Sequence, residues 1–296
     1  MELGMVGLGK MGINMVFRLL EGGHKVVVFN RTLSKEEPVK NKGAIGSDSI
    51  KELVSKLSSP RIVWLMVPSG ETTDLMLEEV LKYVEKTDIV IDGGNSYYKD
   101  SIRRYNMLKE KGINFLDCGT SGGIWGLKEG YCAMIGGEKE IFNHCEPIFK
   151  TLAPENGYLY VGKSGAGHFV KMVHNAIEYG MMEAYAEGFE ILKTSDFNVN
   201  LTDITGLWSH GSVVRSWLLD LAHNAFRLDP ELENLKPIVD DSGEGRWTLK
   251  EAIDMAVPAP VLAESVFARF RSRQENSFAD RVLAALRHQF GGHSVH

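Results

Sequence analysis

Lys171, His174, Asn175 and Glu178 recur at i, i+3, i+4 and i+7 within the segment Phe169–Tyr179. At about 100° per residue, these four share one face of a helix. The opposite face carries Val170, Val173, Ala176, Ile177 and Gly180. The polar face joins a proton acceptor, a proton donor and two hydrogen-bonding groups, a set suited to proton transfer on a bound substrate. A polar stripe is also the ordinary form of a solvated helix face. Here the segment is too apolar elsewhere for a plain surface helix, and Asn and His are poor choices on one.

Three glycine-bearing stretches could hold what such a helix acts on. Gly7-Leu8-Gly9-Lys10-Met11-Gly12 is a G-x-G-x-x-G string that follows an apolar run and opens a helical pattern. Its first glycine permits a tight turn, its second lets the backbone approach a pyrophosphate, and its third allows close helix–sheet packing. The helix start adds free N–H groups and a partial positive charge for the anion. With a strand before, a helix after and a second strand at the right distance, the string reads as a dinucleotide loop. The second strand ends in Asn30-Arg31-Thr32. No carboxylate stands there to bond a ribose 2′-hydroxyl or repel a 2′-phosphate, and Arg31 offers a planar guanidinium for the phosphate. NADP is therefore the expected cofactor and NAD the alternative; an exposed arginine in a turn is the plainer reading of Arg31. Val67-Pro68, where the apolar run Ile62–Val67 closes, joins the expected cofactor contacts.

Asp92-Gly93-Gly94-Asn95-Ser96 follows Ile89-Val90-Ile91, and Gly119-Thr120-Ser121-Gly122-Gly123 follows Asn114–Asp117. Open α/β sheets bind ligands beyond the carboxyl ends of their strands. The small residues and N–H groups of the second stretch could cradle a carboxylate or hydroxyl. Plain turns are the alternative at both.

The elements that must position these residues change character along the chain. Strand-like runs lie at Leu3–Val6, Lys25–Phe29, Ile62–Val67, Ile89–Asp92 and Asn114–Asp117, with helical stretches such as Gly12–Glu21 and Thr72–Val84 between them. Further strands are expected at Cys132–Ile135 and Gly157–Tyr160. Alternation of this kind reads as βαβ units on a mostly parallel sheet. From Gly165 onward the pattern is helical, with long segments at Phe169–Lys193, Leu249–Phe270 and Phe278–Gln289. The expected fold is an α/β Rossmann-type N-terminal domain over residues 1–164 and an all-α C-terminal domain over residues 165–296, divided at Gly162–Gly165.

Bulk properties agree with a soluble two-domain protein. The chain has 296 residues, 44% apolar and 24% charged, with a net charge of -6. The acidic balance disfavours nucleic acid as a partner. No apolar run approaches the roughly 18 residues of a membrane span. Cys118, Cys132 and Cys145 match no zinc pattern and read as reduced, mostly buried thiols. With no basic, signal-like start before Leu3, a cytoplasmic location is expected.

Taken together, Leu8–Gly12, Asp92–Ser96, Thr120–Gly123 and the run Lys171-Met172-Val173-His174-Asn175-Ala176-Ile177-Glu178-Tyr179 resemble the decarboxylating 6-phosphogluconate dehydrogenases, a family within the β-hydroxyacid dehydrogenases. The chain is similar to the short branch, which lacks the duplicated helical array of the longer enzymes and includes NAD-preferring members. The resemblance implies hydride transfer from C3 of 6-phosphogluconate to the nicotinamide, with Lys171 as general base on the 3-hydroxyl. Loss of CO2 from the resulting β-keto acid would leave an enediol, which Glu178 would protonate at C1 to give ribulose 5-phosphate. His174 and Asn175 would hold hydroxyls and carboxylate, and Ser121, Gly122 and Gly123 the carboxylate end. Asn95 would bridge cofactor and substrate, and no metal would be needed.

The resemblance also implies a phosphate site and a shared tail. Val266-Phe267-Ala268-Arg269 resembles the family's arginine motif for the substrate phosphate, and Tyr179 its hydroxyl donor. Longer members place a lysine where this chain has Ser242, ahead of Gly243-Glu244-Gly245-Arg246-Trp247, with Arg246 as a candidate substitute. Arg287-His288-Gln289-Phe290-Gly291-Gly292-His293 resembles a tail that completes the neighbouring subunit's site, which implies a homodimer or larger assembly through Arg287 and His293. A 3-hydroxyisobutyrate-type dehydrogenase and a non-catalytic NADP-binding protein are the alternatives. The first needs neither a phosphate site nor Glu178; the second has no use for the polar face at Lys171.

A charge-assisted bond contributes roughly 1.5–3 kcal/mol, so Arg31→Ala should raise the NADP KM about tenfold or more. Initial rates against NADP and NAD check this, and an unchanged NADP KM counts against Arg31 as the 2′-phosphate ligand.

Overall fold

The computed structural model describes residues 1–291. They fall into two compact units, Met1–His174 and a second beginning at Asn175. The first contains eight strands: β1 (Glu2–Val6), β2 (Lys25–Phe29), β3 (Ile45–Gly46), β4 (Ile62–Leu65), β5 (Ile89–Asp92), β6 (Asn114–Ser121), β7 (Cys132–Gly137) and β8 (Tyr158–Gly162). They form one sheet in the order β3-β2-β1-β4-β5-β6-β7-β8. All neighbours run parallel except β6 and β7. Seven helices connect them: α1 (Lys10–Glu21), α2 (Glu37–Lys40), α3 (Ile50–Ser55), α4 (Glu71–Val80), α5 (Tyr98–Glu110), α6 (Gly126–Glu129) and α7 (Lys139–Leu152). The chain then enters α8 (Ala166–Thr194), which begins in the first unit and ends in the second.

The strands are apolar almost throughout because both faces of the sheet are covered, as parallel sheets require. Successive side chains point to opposite faces. Leu3, Met5, Val26, Val28, Trp64 and Ile91 pack on one face with Met15 and Leu19 of α1 and Phe142 and Phe149 of α7. Val6, Val27, Val63, Leu65, Val90 and Phe115 pack on the other with Leu53 of α3, Leu77 of α4 and Leu108 of α5. The Rossmann-type layout expected from the alternating pattern is therefore present.

The second unit holds the rest of α8 with α9 (Leu201–Trp208), α10 (Trp217–Leu228), α11 (Glu244–Asp254), α12 (Pro260–Ser272) and α13 (Phe278–Gly291). Side-chain caps start two of these: Asn200 accepts from the Thr202 and Asp203 N–H groups, and Ser216 from Leu219 N–H. Phe189, Leu201, Leu219 and Phe226 form its small buried cluster, with the Phe189 ring 5.8 Å from Tyr185 and 6.3 Å from Trp208.

Two expectations need correction. Leu249–Phe270 is not one helix: α11 stops at Asp254 and α12 begins at Pro260. Pro258 and Pro260 lack the N–H a helix interior needs, whereas Pro260 suits a helix start. Gly119, Thr120 and Ser121 are strand, not loop, because β6 runs on to pair antiparallel with β7. The three cysteines are free and mostly buried, as expected: burial pushes the Cys118 and Cys145 thiols up to about 12, and Cys132 is exposed. Among the described residues no helix is long and apolar enough to cross a membrane.

Phe149 is fully buried, stacked on Phe142 at 5.7 Å and tilted against Trp64 at 6.0 Å. Phe149→Ala should therefore cost roughly 3–5 kcal/mol of stability, read by denaturant unfolding, and a loss under about 1 kcal/mol would contradict this packing.

Candidate active site

The sheet reverses its winding between β1 and β4, and open sheets bind ligands at that switch point. The turn after β1 is glycine by necessity at Gly7, which sits at φ 101° and donates to the Phe29 carbonyl at 3.0 Å. A Cβ at Gly7 would collide with the Met66 carbonyl, and one at Gly12 with the Gly7 carbonyl. Gly9 differs: a Cβ there would meet nothing within 4 Å, so its backbone faces open space. Gly9 caps α1 with no side-chain bond, and the first turn of α1 carries no acidic residue. Lys10 is exposed and Met11 half-buried beside it, while Leu8 is buried. An open cradle at an uncapped helix start fits a pyrophosphate.

Asn30 ties the end of β2 to this turn. Its Oδ1 accepts from Leu8 N–H at 2.9 Å, and its Nδ2 donates to the Thr32 carbonyl at 2.9 Å. Arg31 and Thr32 are exposed. The fold also supplies a carboxylate that the strand end itself lacks. Glu36, six residues on and buried, accepts from Asn30 N–H at 3.1 Å. Burial pushes its carboxyl above the usual range, against the opposing pull of that bond. Only the folded turn Leu33–Lys35 brings Glu36 back to Asn30, so spacing alone gave no signal of it.

Val67 and Pro68 follow β4 at the same edge, with the Pro68 carbonyl accepting from Thr73 Oγ1–H at 2.9 Å. The next loop belongs to Asn95, exposed between buried neighbours. Asp92 shapes it: its Oδ1 accepts from Gly94 N–H at 3.1 Å and its Oδ2 from Ser96 Oγ–H at 2.8 Å. Fully buried Arg104 donates to Asp92 Oδ2 at 3.0 Å, to Asp74 Oδ1 at 2.8 Å and to the Gly70 carbonyl at 3.2 Å. Neither Arg104 nor Asp74 stood out in the sequence, since a charged residue on an amphipathic helix looks solvated.

Lys171 is 7% exposed, so the polar face of α8 is not a solvated stripe at this point. Its stem rests on Gly119 of β6, where a Cβ would collide with Lys171 Cβ. Alternation along β6 puts Ser121 on the same face as Gly119. Gly122 and Gly123 follow at φ 126° and 52°, turning the chain into the short helix Gly123–Trp125. His174 lies one turn beyond Lys171, partly exposed; Asn175 and Glu178, also partly exposed, continue α8 in the second unit. On the nominally apolar face, Val170 and Ile177 are 38% and 51% exposed.

Within the second unit, Tyr179 and Arg269 come together. The Arg269 guanidinium lies 3.5 Å from the centre of the Tyr179 ring and donates to the Asp240 carbonyl at 2.8 Å. The Tyr179 hydroxyl accepts from Ser242 N–H at 3.2 Å, and Ser242 Oγ donates to buried Glu244 at 2.7 Å. Arg246 is engaged elsewhere: it grips Asp241 through Nε at 2.7 Å and Nη2 at 2.9 Å, holding that carboxyl below its usual range. Arg287 is exposed on α13, and His293 lies outside the described residues.

Comparison with known proteins covers both units. Residues 2–162 match the NAD binding domain of 6-phosphogluconate dehydrogenase, and residues 167–291 match that enzyme's C-terminal domain. A Bacillus subtilis protein provisionally named as a 6-phosphogluconate dehydrogenase is 47% identical over 100% of this chain and 99% of its own length. A Haloferax volcanii protein, named as an NAD(+)-dependent, decarboxylating 6-phosphogluconate dehydrogenase, is 39% identical over 100% of this chain and 98% of its own. Among solved structures, the Plasmodium falciparum 6-phosphogluconate dehydrogenase, studied with NADP+ and with 6-phosphogluconate, superposes with a TM-score of 0.85 at 30% identity, over 98% of this chain and 65% of that one. A glycine cradle after β1, a lysine seated on β6 and end-to-end likeness to these relatives have one common explanation: the chain belongs to the 6-phosphogluconate dehydrogenase family.

Proposed function

We propose that the protein catalyses the oxidative decarboxylation of 6-phosphogluconate to ribulose 5-phosphate and CO2, with NADP, or alternatively NAD, reduced. The observation that carries this reading is the buried Lys171 seated on Gly119, on the helix that also bears His174, Asn175, Glu178 and Tyr179. The relatives' names support the reaction class.

Gly7, Leu8, Gly9, Lys10, Met11 and Gly12 hold the dinucleotide's pyrophosphate against the start of α1, and Val67 and Pro68 line its path along the sheet edge. When bound, the dinucleotide supplies the hydride acceptor for C3. Lys171 takes the proton of the 3-hydroxyl as the C–H electron pair departs, leaving a carbonyl β to the carboxylate. That carbonyl accepts the electrons released as the C–CO2 bond breaks, and its oxygen takes the proton back from Lys171 to give the enediol. Glu178 then donates a proton to C1 of the enediol while the hydroxyl proton at the new carbonyl carbon passes back to Lys171. His174 and Asn175 orient hydroxyls and carboxylate, Ser121, Gly122 and Gly123 hold the carboxylate end, and Asn95 spans cofactor and substrate.

Tyr179 and Arg269 take the phosphate; their mutual contact supports that role. Arg31 reads the 2′-phosphate in this scheme and favours NADP, while the NAD-dependent relative keeps NAD as the alternative. Arg287 and His293 serve the neighbouring subunit of a homodimer or larger assembly, and the enzyme works in the cytoplasm. The dinucleotide domain is taken as residues 1–164 and the helical substrate domain as residues 165–296.

Positioned acid/base groups typically contribute 10²–10⁴-fold, so Lys171→Met and Glu178→Gln should each lose roughly 10²-fold or more in kcat. Purified protein, 6-phosphogluconate and NADP or NAD, with reduced cofactor and released CO2 both followed, test this; wild-type rates in both variants reject the mechanism. Deleting residues 286–296 should abolish turnover while dinucleotide binding persists, and a fully active truncation rejects the shared tail.

A further inference from the structure

The scheme above uses Lys171 but not the carboxylate beneath the start of its helix. Asp117 is fully buried on β6. Its Oδ1 accepts from Gly165 N–H at 2.6 Å and from Ser164 Oγ–H at 3.3 Å, and its Oδ2 accepts from His168 N–H at 3.0 Å. These donors are the approach to α8 and its first turn. The His168 side chain is pinned as well, with Nδ1 2.7 Å from Ser101 Oγ.

The surroundings leave room for this carboxylate and little else. Gly136 of β7 lies opposite Asp117 in the sheet. A Cβ on Gly136 would come within 2.8 Å of both Asp117 Oδ1 and Gly167 N. A Cβ on Gly167 would stand 2.9 Å from Asp117 Oδ2 and collide with the Asp117 carbonyl. Asp117 and Gly119 share one face of β6. Along that face Asp117 takes His168 N–H and, one step on, Gly119 receives Lys171. Asp117 and Gly119 are adjacent positions on that strand face, and His168 and Lys171 lie about one turn apart on α8, so these are consecutive contacts of the helix on the strand.

We propose that Asp117 is a positioning residue: capping α8 from the sheet, it sets the helix's axial place and rotation, and with them the place of the Lys171 amine. The proposal rests on reading Lys171 as the general base. An anion accepting N–H groups at a helix start is held both by charge-assisted bonds and by the helix dipole. Displacing a reacting group by about 1 Å can cost on the order of 10²-fold in rate.

The test compares Asp117→Asn, Asp117→Ala and, as a control for destabilisation alone, Val80→Ala in the buried α4 packing. Asn keeps the volume and one acceptor oxygen but turns an NH2 group toward the remaining N–H. In Asp117→Asn, kcat for 6-phosphogluconate oxidation should fall about tenfold or more while the dinucleotide KM stays within about twofold. Exchange of the Gly165 and His168 amides should quicken. Asp117→Ala should be lower still, and Val80→Ala should lose Tm with kcat retained. A wild-type kcat in Asp117→Asn, or a kcat loss in Val80→Ala matching it at equal Tm, overturns the proposal. If Asp117→Ala does not fold, Asp117→Asn decides. If the wild-type chain does not oxidise 6-phosphogluconate, the functional reading fails separately. Amide exchange then judges the cap by itself, and unchanged protection at Gly165 and His168 overturns it.

Discussion

The approach of α8 to β6 is the contact on which the proposed chemistry of this molecule depends. A helix and a strand normally keep their distance because each presents side chains to the other. Here Gly119, Gly136 and Gly167 remove those side chains at the crossing, so the stem of Lys171 lies directly on strand backbone. Close approach buries helix-start N–H groups that water can no longer reach, and buried donors must be paired. Asp117 and the short gap before α8 meet that demand. A single geometric decision therefore buries a lysine, consumes a carboxylate and dictates three glycines.

The cofactor edge is organised by the same need to satisfy what the sheet buries. Asp92 and Arg104 are both withdrawn from water, and a buried ion pair is tolerable only when its remaining bonding capacity is used. Asp92 spends its capacity on Gly94 and Ser96, while Arg104 spends its own on Asp74 and Gly70. The outcome is a loop with rigid shoulders and one exposed side chain, Asn95. Asn30 and Glu36 play a comparable part across the switch point, locking the β2 turn to the glycine loop.

Charge in the second unit is arranged differently. Asp241 gathers Arg246 and Arg273 at 2.7–2.9 Å, leaving Arg269 to stack on Tyr179. Stacking on an aromatic face leaves the edge of a guanidinium open to acceptors, and Arg269 directs its Nη1–H to the Asp240 carbonyl, whereas Arg246 directs Nε and Nη2 into the Asp241 carboxylate. Two arginines of similar appearance in the sequence thus take different kinds of partner.

Much of this was legible without coordinates. The G-x-G-x-x-G string and the strand runs of the first unit depend on local periodicity, and the fold carries them as turn and strands; the spacing from Lys171 to Glu178 lies on α8 as periodicity implies, but only Lys171 of that set is buried, and Val170 and Ile177 on the other face are exposed. Pro258 and Pro260 are equally legible as breakers of the stretch Leu249–Phe270. Other features were out of reach. That Gly119–Ser121 is strand rather than loop depends on pairing with β7, and that Lys171 is buried depends on Gly119. Glu36, Arg104 and Asp117 read locally as unremarkable charges, and their roles arise from partners 6 to 51 residues away in the chain. The sequence by itself determined the periodic elements and the residue types available for proton transfer, because those follow from neighbours along the backbone. Only the tertiary structure decided which charges lose water and which partners they then take, because desolvation is a property of packing and not of spacing.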